Sequence, residues 1–120
     1  MSKVLVVEDN ELNLKLFHDL LKMKKHEVIT SMEGTDAFDL AKSENPDLIL
    51  MDIQLRGISG LEIIKALKAE STTSDIPIIA ITAFAMKNDE EKIMQSGCDM
   101  YLAKPVSMDN FFNALSKYLK

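Results

Sequence analysis

The sequence is poor in most of the features that announce specialised chemistry. Cys98 is its one cysteine, so no internal disulfide and no cysteine metal cluster can form. No apolar run approaches the length of a membrane span. The one near the N-terminus, Val4 to Val7, is too short for a signal peptide and runs straight into acids. A glycine-rich phosphate loop is missing: Gly57 and Gly60 have the wrong spacing and no lysine follows them. Positive charge is in deficit, with 14 Lys and Arg against 19 Asp and Glu, which argues against a nucleic-acid-binding surface. A cytoplasmic protein without membrane insertion is the expectation.

What is present is the material for a core. Of 120 residues 47% are hydrophobic and 28% charged, enough for one compact domain over residues 1–120 and not a disordered chain. The most informative stretch is Leu48-Ile49-Leu50-Met51-Asp52. An unalternating apolar run bounded by turn residues is the pattern of a strand buried on both faces of a parallel sheet. Asp52 stands where that strand leaves the core.

Three other apolar runs end in the same way. Val4 to Val7 leads into Glu8 and Asp9, Ile78 to Ile81 into Thr82, and Met100 to Ala103 into Lys104. His26 to Thr30 reads as a fifth, more polar strand suited to a sheet edge. Helical spacing fills the intervals: Glu11 to Lys24 with Asn10 as N-cap, Thr35 to Ser43, and Leu61 to Ala69 behind a Ser59…Glu62 capping box. Asn88 to Gln95, ended by Gly97, and a last helix capped by Ser107 complete the set. In the first helix Leu12, Leu16, Leu20 and Met23 are spaced to form the apolar face. Strand and helix alternating five times predict an α/β fold, a doubly wound parallel sheet covered on both sides.

In such sheets ligands bind beyond the carboxyl ends of the strands, where Glu8, Asp9, Asp52, Thr82 and Lys104 are all expected. Three carboxylates against one lysine leave an excess of negative charge that a divalent cation would balance, and an all-oxygen donor set favours magnesium. A carboxylate there could serve as nucleophile toward a phosphoryl group, with catalysis resting on positioning and charge neutralisation. Taken singly, each residue has a plainer reading. Acids favour a helix start, Asp52 could be a turn residue, Thr82 an ordinary strand end and Lys104 a surface lysine. Four strands ending by coincidence in complementary chemistry is the weaker account. His18 and His26 are expected at surface or interface positions, Cys98 as a small buried hydrophobe, and the eight methionines as core filler.

These residues resemble the receiver domains of two-component response regulators. The likeness runs through Val6-Val-Glu-Asp-Asn10, Pro46 to Asp52 with Gly60, Ile81-Thr-Ala83 and Lys104-Pro105. It is closest to DivK-type single-domain regulators of cell division, through Asp9 to Asn13 with Lys15 to Leu21, and Ala80 to Lys87 with Asp89 to Glu91.

The resemblance implies a flavodoxin-like sheet of strand order 2-1-3-4-5 with five helices and no output domain. Asp52 would take a phosphoryl group from a phosphohistidine on a histidine kinase or phosphotransferase. Glu8, Asp9, Asp52 and the backbone carbonyl of Gln54 would hold Mg2+. Lys104, joined to Pro105 by a cis bond, would contact the phosphate. Thr82 and Tyr101 would form the switch that changes binding to a downstream kinase or regulatory protein. Leu12, Asn13 and Phe17 are candidates for docking the phosphodonor.

The protein is expected to be a monomeric switch and not a turnover enzyme. The rival readings are a phosphate shuttle without an output of its own, and a magnesium phosphatase, which would want an acid where Gln54 stands. Arg56 replaces a proline usual in the family, and Phe84 is expected to shield the phosphoryl group and prolong its life.

Overall fold

The computed structural model describes residues 2–55, 57–83 and 87–119, with backbone alone at 87–89. Arg56 and Phe84, singled out above, lie outside the described residues. In chain order the elements are β1 (Lys3–Val7), α1 (Glu11–Met23), β2 (Glu27–Ser31), α2 (Ala37–Glu44), β3 (Leu48–Asp52), α3 (Gly60–Ala69), β4 (Ile78–Thr82), α4 (Lys87–Gln95), β5 (Met100–Ala103) and α5 (Met108–Tyr118). All pairings are parallel and the strand order is β2-β1-β3-β4-β5, as the resemblance implied.

The period of two along each strand sorts the core into two layers. Leu5, Val7, Ile49 and Met51 face α2 and α3, packing with Ala37, Ala41, Ile64 and Leu67. Val4, Val6, Leu48 and Leu50 face α1 and α5, packing with Phe17, Leu21, Phe111 and Leu115. Every residue of β3 and β4 is buried, which is why those segments carry no polar alternation until their final residues. The caps are local. Asn10 accepts the N–H of Asn13, Ser59 that of Leu61 and Ser107 that of Asn110.

Three expectations are corrected. The face of α1 that meets the core is Phe17, Leu20 and Leu21, while Leu12, Leu16 and Met23 are 80%, 45% and 65% exposed. Two apolar stripes lie side by side on this helix, and the stacking of Phe17 on Phe111, with centroids 5.4 Å apart, selects the second. His26, expected at a surface or interface, is 7% exposed at the entrance to β2, where it lines a cavity with Phe112 and Leu115 of α5. Burial lowers its pKa, so its neutral form is favoured. The edge strand β2 itself starts one residue later than the apolar pattern suggested, at Glu27.

Gly60 explains how tightly α3 seats behind β3. A Cβ there would meet the Asp52 carbonyl oxygen and lie 2.5 Å from Ile53 Cα, so only glycine lets the helix start against that backbone. The Gly60 N–H donates to the Ile53 carbonyl at 3.2 Å, which fixes the loop carrying Gln54.

Candidate functional site

Asp52 closes β3 and is 2% exposed. One carboxylate oxygen, Oδ1, accepts the backbone N–H of Gln54 at 2.9 Å; the other, Oδ2, accepts Lys104 Nζ at 3.0 Å. Lys104 follows β5, and its own N–H donates to the Thr82 carbonyl at 2.7 Å, which ties the lysine to the end of β4. The Lys104–Pro105 bond is cis, as the resemblance implied. Thr82 ends β4 and is fully buried.

The same ammonium stands 3.0 Å from Glu8 Oε1. Its charge reaches that oxygen, but no aligned hydrogen-bond donor does so among the described residues. Glu8 is itself 1% exposed. Glu8, Asp9 and Asp52 each offer a carboxylate oxygen, and the three oxygens lie within 4.8 Å of one another.

The electrostatics follow from that crowding. Burial, then the adjacent Asp52, pushes Glu8 up to about 7, and Lys104 only partly opposes this. Asp52 moves the other way. Burial would raise it, but hydrogen bonds from Glu8, the Gln54 N–H and Lys104 outweigh burial and hold it below its ordinary value. For Lys104, burial is outweighed by the two carboxylates, which raise it. A proton on Glu8 thus substitutes for a second positive charge. An oxygen-only donor set and three clustered carboxylates, two of them sharing one ammonium, fit a hard divalent cation such as Mg2+.

The remaining expected residues are distributed around this centre. Tyr101 lies on β5, half-buried, with its hydroxyl bonded to Glu90, an interaction that raises its pKa. Leu12 is exposed and Asn13 half-buried on α1. Phe17 is corrected: at 3% exposed it belongs to the core and forms only part of the floor of a groove beside α1. That groove, of about 290 Å³, is lined by Asn13, Leu16, Phe17, Lys104, Pro105 and Val106, and so runs from α1 to the site lysine.

One contact had no sequence signal. The side-chain oxygen of Gln54 accepts the N–H of Ala83 at 3.1 Å, joining the loops after β3 and β4. Only the tertiary pairing of those two strands brings the residues together.

With this geometry in view, the likeness to known proteins is specific. The response regulator receiver domain family matches residues 4–116. The chain belongs to the response regulator receiver family. Polar-differentiation response regulator DivK of Brucella ovis is 53% identical over 118 residues, covering 98% of this chain and 96% of that protein. DivK of Brucella anthropi is equally similar.

Among solved structures, the receiver domain of sensor histidine kinase PA1611 from Pseudomonas aeruginosa superposes with a TM-score of 0.90 at 31% identity. It covers 98% of this chain and 96% of that one, and holds a magnesium ion coordinated in its active site cleft. Chemotaxis protein CheY4 of Vibrio cholerae gives a TM-score of 0.92 at 25% identity, with 99% of each chain covered. This receiver domain is therefore a DivK-like response regulator of two-component signalling. No helix among its described residues is long and apolar enough to cross a membrane.

Proposed function

We propose that this receiver domain is a phosphorylation-controlled switch in which Asp52 accepts a phosphoryl group from a phosphohistidine. The carrying observation is the environment of Asp52, a buried carboxylate with Lys104 on one oxygen, the Gln54 N–H on the other and two further acids close by. Attack by a carboxylate oxygen would form the Asp52 O–P bond as the donor's N–P bond breaks and the imidazole leaves.

Bound Mg2+ would supply positive charge for the phosphoryl oxygens. Glu8, Asp9, Asp52 and the Gln54 carbonyl are the residues proposed to hold it. Lys104 would neutralise a second oxygen and the Thr82 hydroxyl donate to a third. The 2% exposure of Asp52 leaves little room for competing water, which favours transfer over hydrolysis.

Readout would run through Thr82 and Tyr101. Movement of Thr82 toward the phosphoryl group would let Tyr101 leave Glu90 and turn inward, changing the face made by α4, β5 and α5. The exposed part of α1, with Leu12, Asn13 and the groove beside Lys104, is the proposed dock for a histidine kinase or phosphotransferase. Similarity to DivK supports a role in polar differentiation and cell division, exercised on a downstream kinase or regulatory protein. The chain would act as a cytoplasmic receiver domain, as a monomer, and would not turn over a small substrate.

Incubation with acetyl phosphate and Mg2+, followed by location of the modified residue, tests this reading. Label is expected on Asp52 and its loss in Asp52→Asn. Equal labelling of that variant would overturn the site.

A further inference from the structure

The end of the β3–β4 ladder is irregular in a way that involves a side chain. Asp52 pairs with Ile81, and the Ile53 N–H donates to the Ile81 carbonyl at 3.1 Å. The next bond of a parallel ladder would run from the Ala83 N–H to the Ile53 carbonyl. That carbonyl is instead taken by the first residue of α3, Gly60. The Ala83 amide is left without its sheet acceptor, and Gln54 Oε1 stands in at 3.1 Å. Gln54 thereby donates one bond and accepts another. Its backbone N–H rests on Asp52 Oδ1, and its side-chain oxygen rests on the amide that follows Thr82.

We infer that the Gln54 carboxamide is a competitive latch on the Ala83 amide, released when a phosphoryl oxygen arrives, so that Gln54 is a positioning residue governing how readily the domain enters its phosphorylated state. The inference rests on Asp52 being the phosphoacceptor. The Ala83 N–H lies one peptide beyond Thr82, at the strand end where phosphoryl oxygens on Asp52 must find donors. An anionic phosphoryl oxygen is a stronger acceptor than a neutral carboxamide, since charge-assisted hydrogen bonds are about twice as strong. The exchange therefore runs toward release. Until then the bond between Gln54 and Ala83 ties the β4–α4 loop to the β3–α3 loop and restrains Thr82. Release of the latch and movement of Thr82 become one event, which makes the switch cooperative at its first step.

The test uses the full chain, isotope-labelled, titrated with beryllofluoride in the presence of Mg2+ as a stable phosphoryl mimic. Gln54→Ala removes the competitor and keeps every backbone group. It is expected to bind beryllofluoride roughly threefold to tenfold more tightly, the worth of one net hydrogen bond. Gln54→Glu, a stronger acceptor that also repels the anion, is expected to bind more weakly than the parent. The Ala83 amide resonance should differ between parent and Gln54→Ala when free, and converge once beryllofluoride is bound.

A Mg2+ titration without beryllofluoride separates a distorted loop from a released amide. Gln54→Ala weakening both ligands together would overturn the latch. So would equal beryllofluoride affinity, or an Ala83 resonance that stays as different in the bound forms as in the free ones. If the parent itself fails to take up beryllofluoride, the phosphoacceptor reading falls and the latch falls with it. Uptake by the parent with indistinguishable variants removes the latch alone.

Discussion

Glu8 and Asp52, carried by adjacent strands, share a single ammonium group: Lys104 Nζ lies 3.0 Å from an oxygen of each. One cation between two buried acids cannot satisfy both charges. The cheapest resolution within the protein is a proton on one of them. Asp52 already holds the Gln54 N–H and the better-aligned contact to Lys104, so Glu8 takes the proton. The site is thereby poised to exchange a proton for a metal ion.

That arrangement has a pH signature. The pKa of Glu8 is about 7 when folded and 4.5 as its ordinary value. Between those values the folded chain keeps a proton that the unfolded chain has released. The stabilisation from Glu8 is complete below pH 4.5 and is lost as pH rises through 7. His26, lowered by burial, acts in the opposite sense below 6.5, because it favours the folded state only where neutral. The informative quantity is therefore the difference between parent and Glu8→Gln in thermal melts from pH 5 to 8 in EDTA. The parent should lose ground to the variant as pH rises. Saturating Mg2+, which replaces the proton, should flatten the trend. A parent that gains on Glu8→Gln with rising pH would contradict the assignment.

Removal of the shared cation should expose the same imbalance. Lys104→Met keeps most of the side-chain volume and leaves Asp52 and Glu8 without their ammonium. A loss of about 1–3 kcal/mol at pH 8 without metal is expected, the range for stranding a buried polar partner. Mg2+ should restore a larger share of stability in the variant than it adds to the parent. Urea unfolding with and without Mg2+ measures both. Equal metal-dependent gains in the two proteins would mean that Lys104 does not balance this pair.

Gly60 carries a purely steric requirement. With a Cβ built against the Asp52–Ile53 backbone, Gly60→Ala forces α3 or the end of β3 to shift. Overpacking of this kind costs about 1–3 kcal/mol. The displaced loop holds Gln54, so acetyl phosphate labelling should slow as well. A variant with unchanged melting temperature would show that the helix start yields more easily than its contacts suggest.

Much of this was legible in the residues, and for a physical reason. Strands buried on both faces are written as unbroken apolar runs, so the polar residue ending each run marks the carboxyl edge of the sheet directly. That rule alone places Asp52, Glu8, Thr82 and Lys104 at this edge. Helices gave less. On α1, Leu12 and Leu16 are as apolar as Phe17 and Leu21, and only packing against the sheet and Phe111 decides which stripe turns inward. His26 shares the lining of one cavity with Phe112 and Leu115 of α5, a proximity between distant parts of the chain. The role of the Gln54 side chain was hidden for a related reason. It arises where the β3–β4 ladder ends, with Gly60 donating to the Ile53 carbonyl and Ala83 to Gln54.

The misplaced stripe on α1 leads to a functional test. Leu12 is 80% exposed and contributes little to the fold, yet it sits with Asn13 beside the groove that reaches Lys104. An exposed leucine next to a reactive cleft is suited to burial under a phosphodonor. Leu12→Asp should leave stability within about 0.5 kcal/mol of the parent. A central apolar anchor lost from an interface costs upward of 1–2 kcal/mol, so transfer from a phosphorylated histidine phosphotransferase should slow about tenfold or more. Labelling by acetyl phosphate, which needs no docking, should keep its rate. Parallel time courses with the two donors distinguish the cases. A variant slowed equally with both would be damaged at the site, and one slowed with neither would place the donor's footprint elsewhere on the domain.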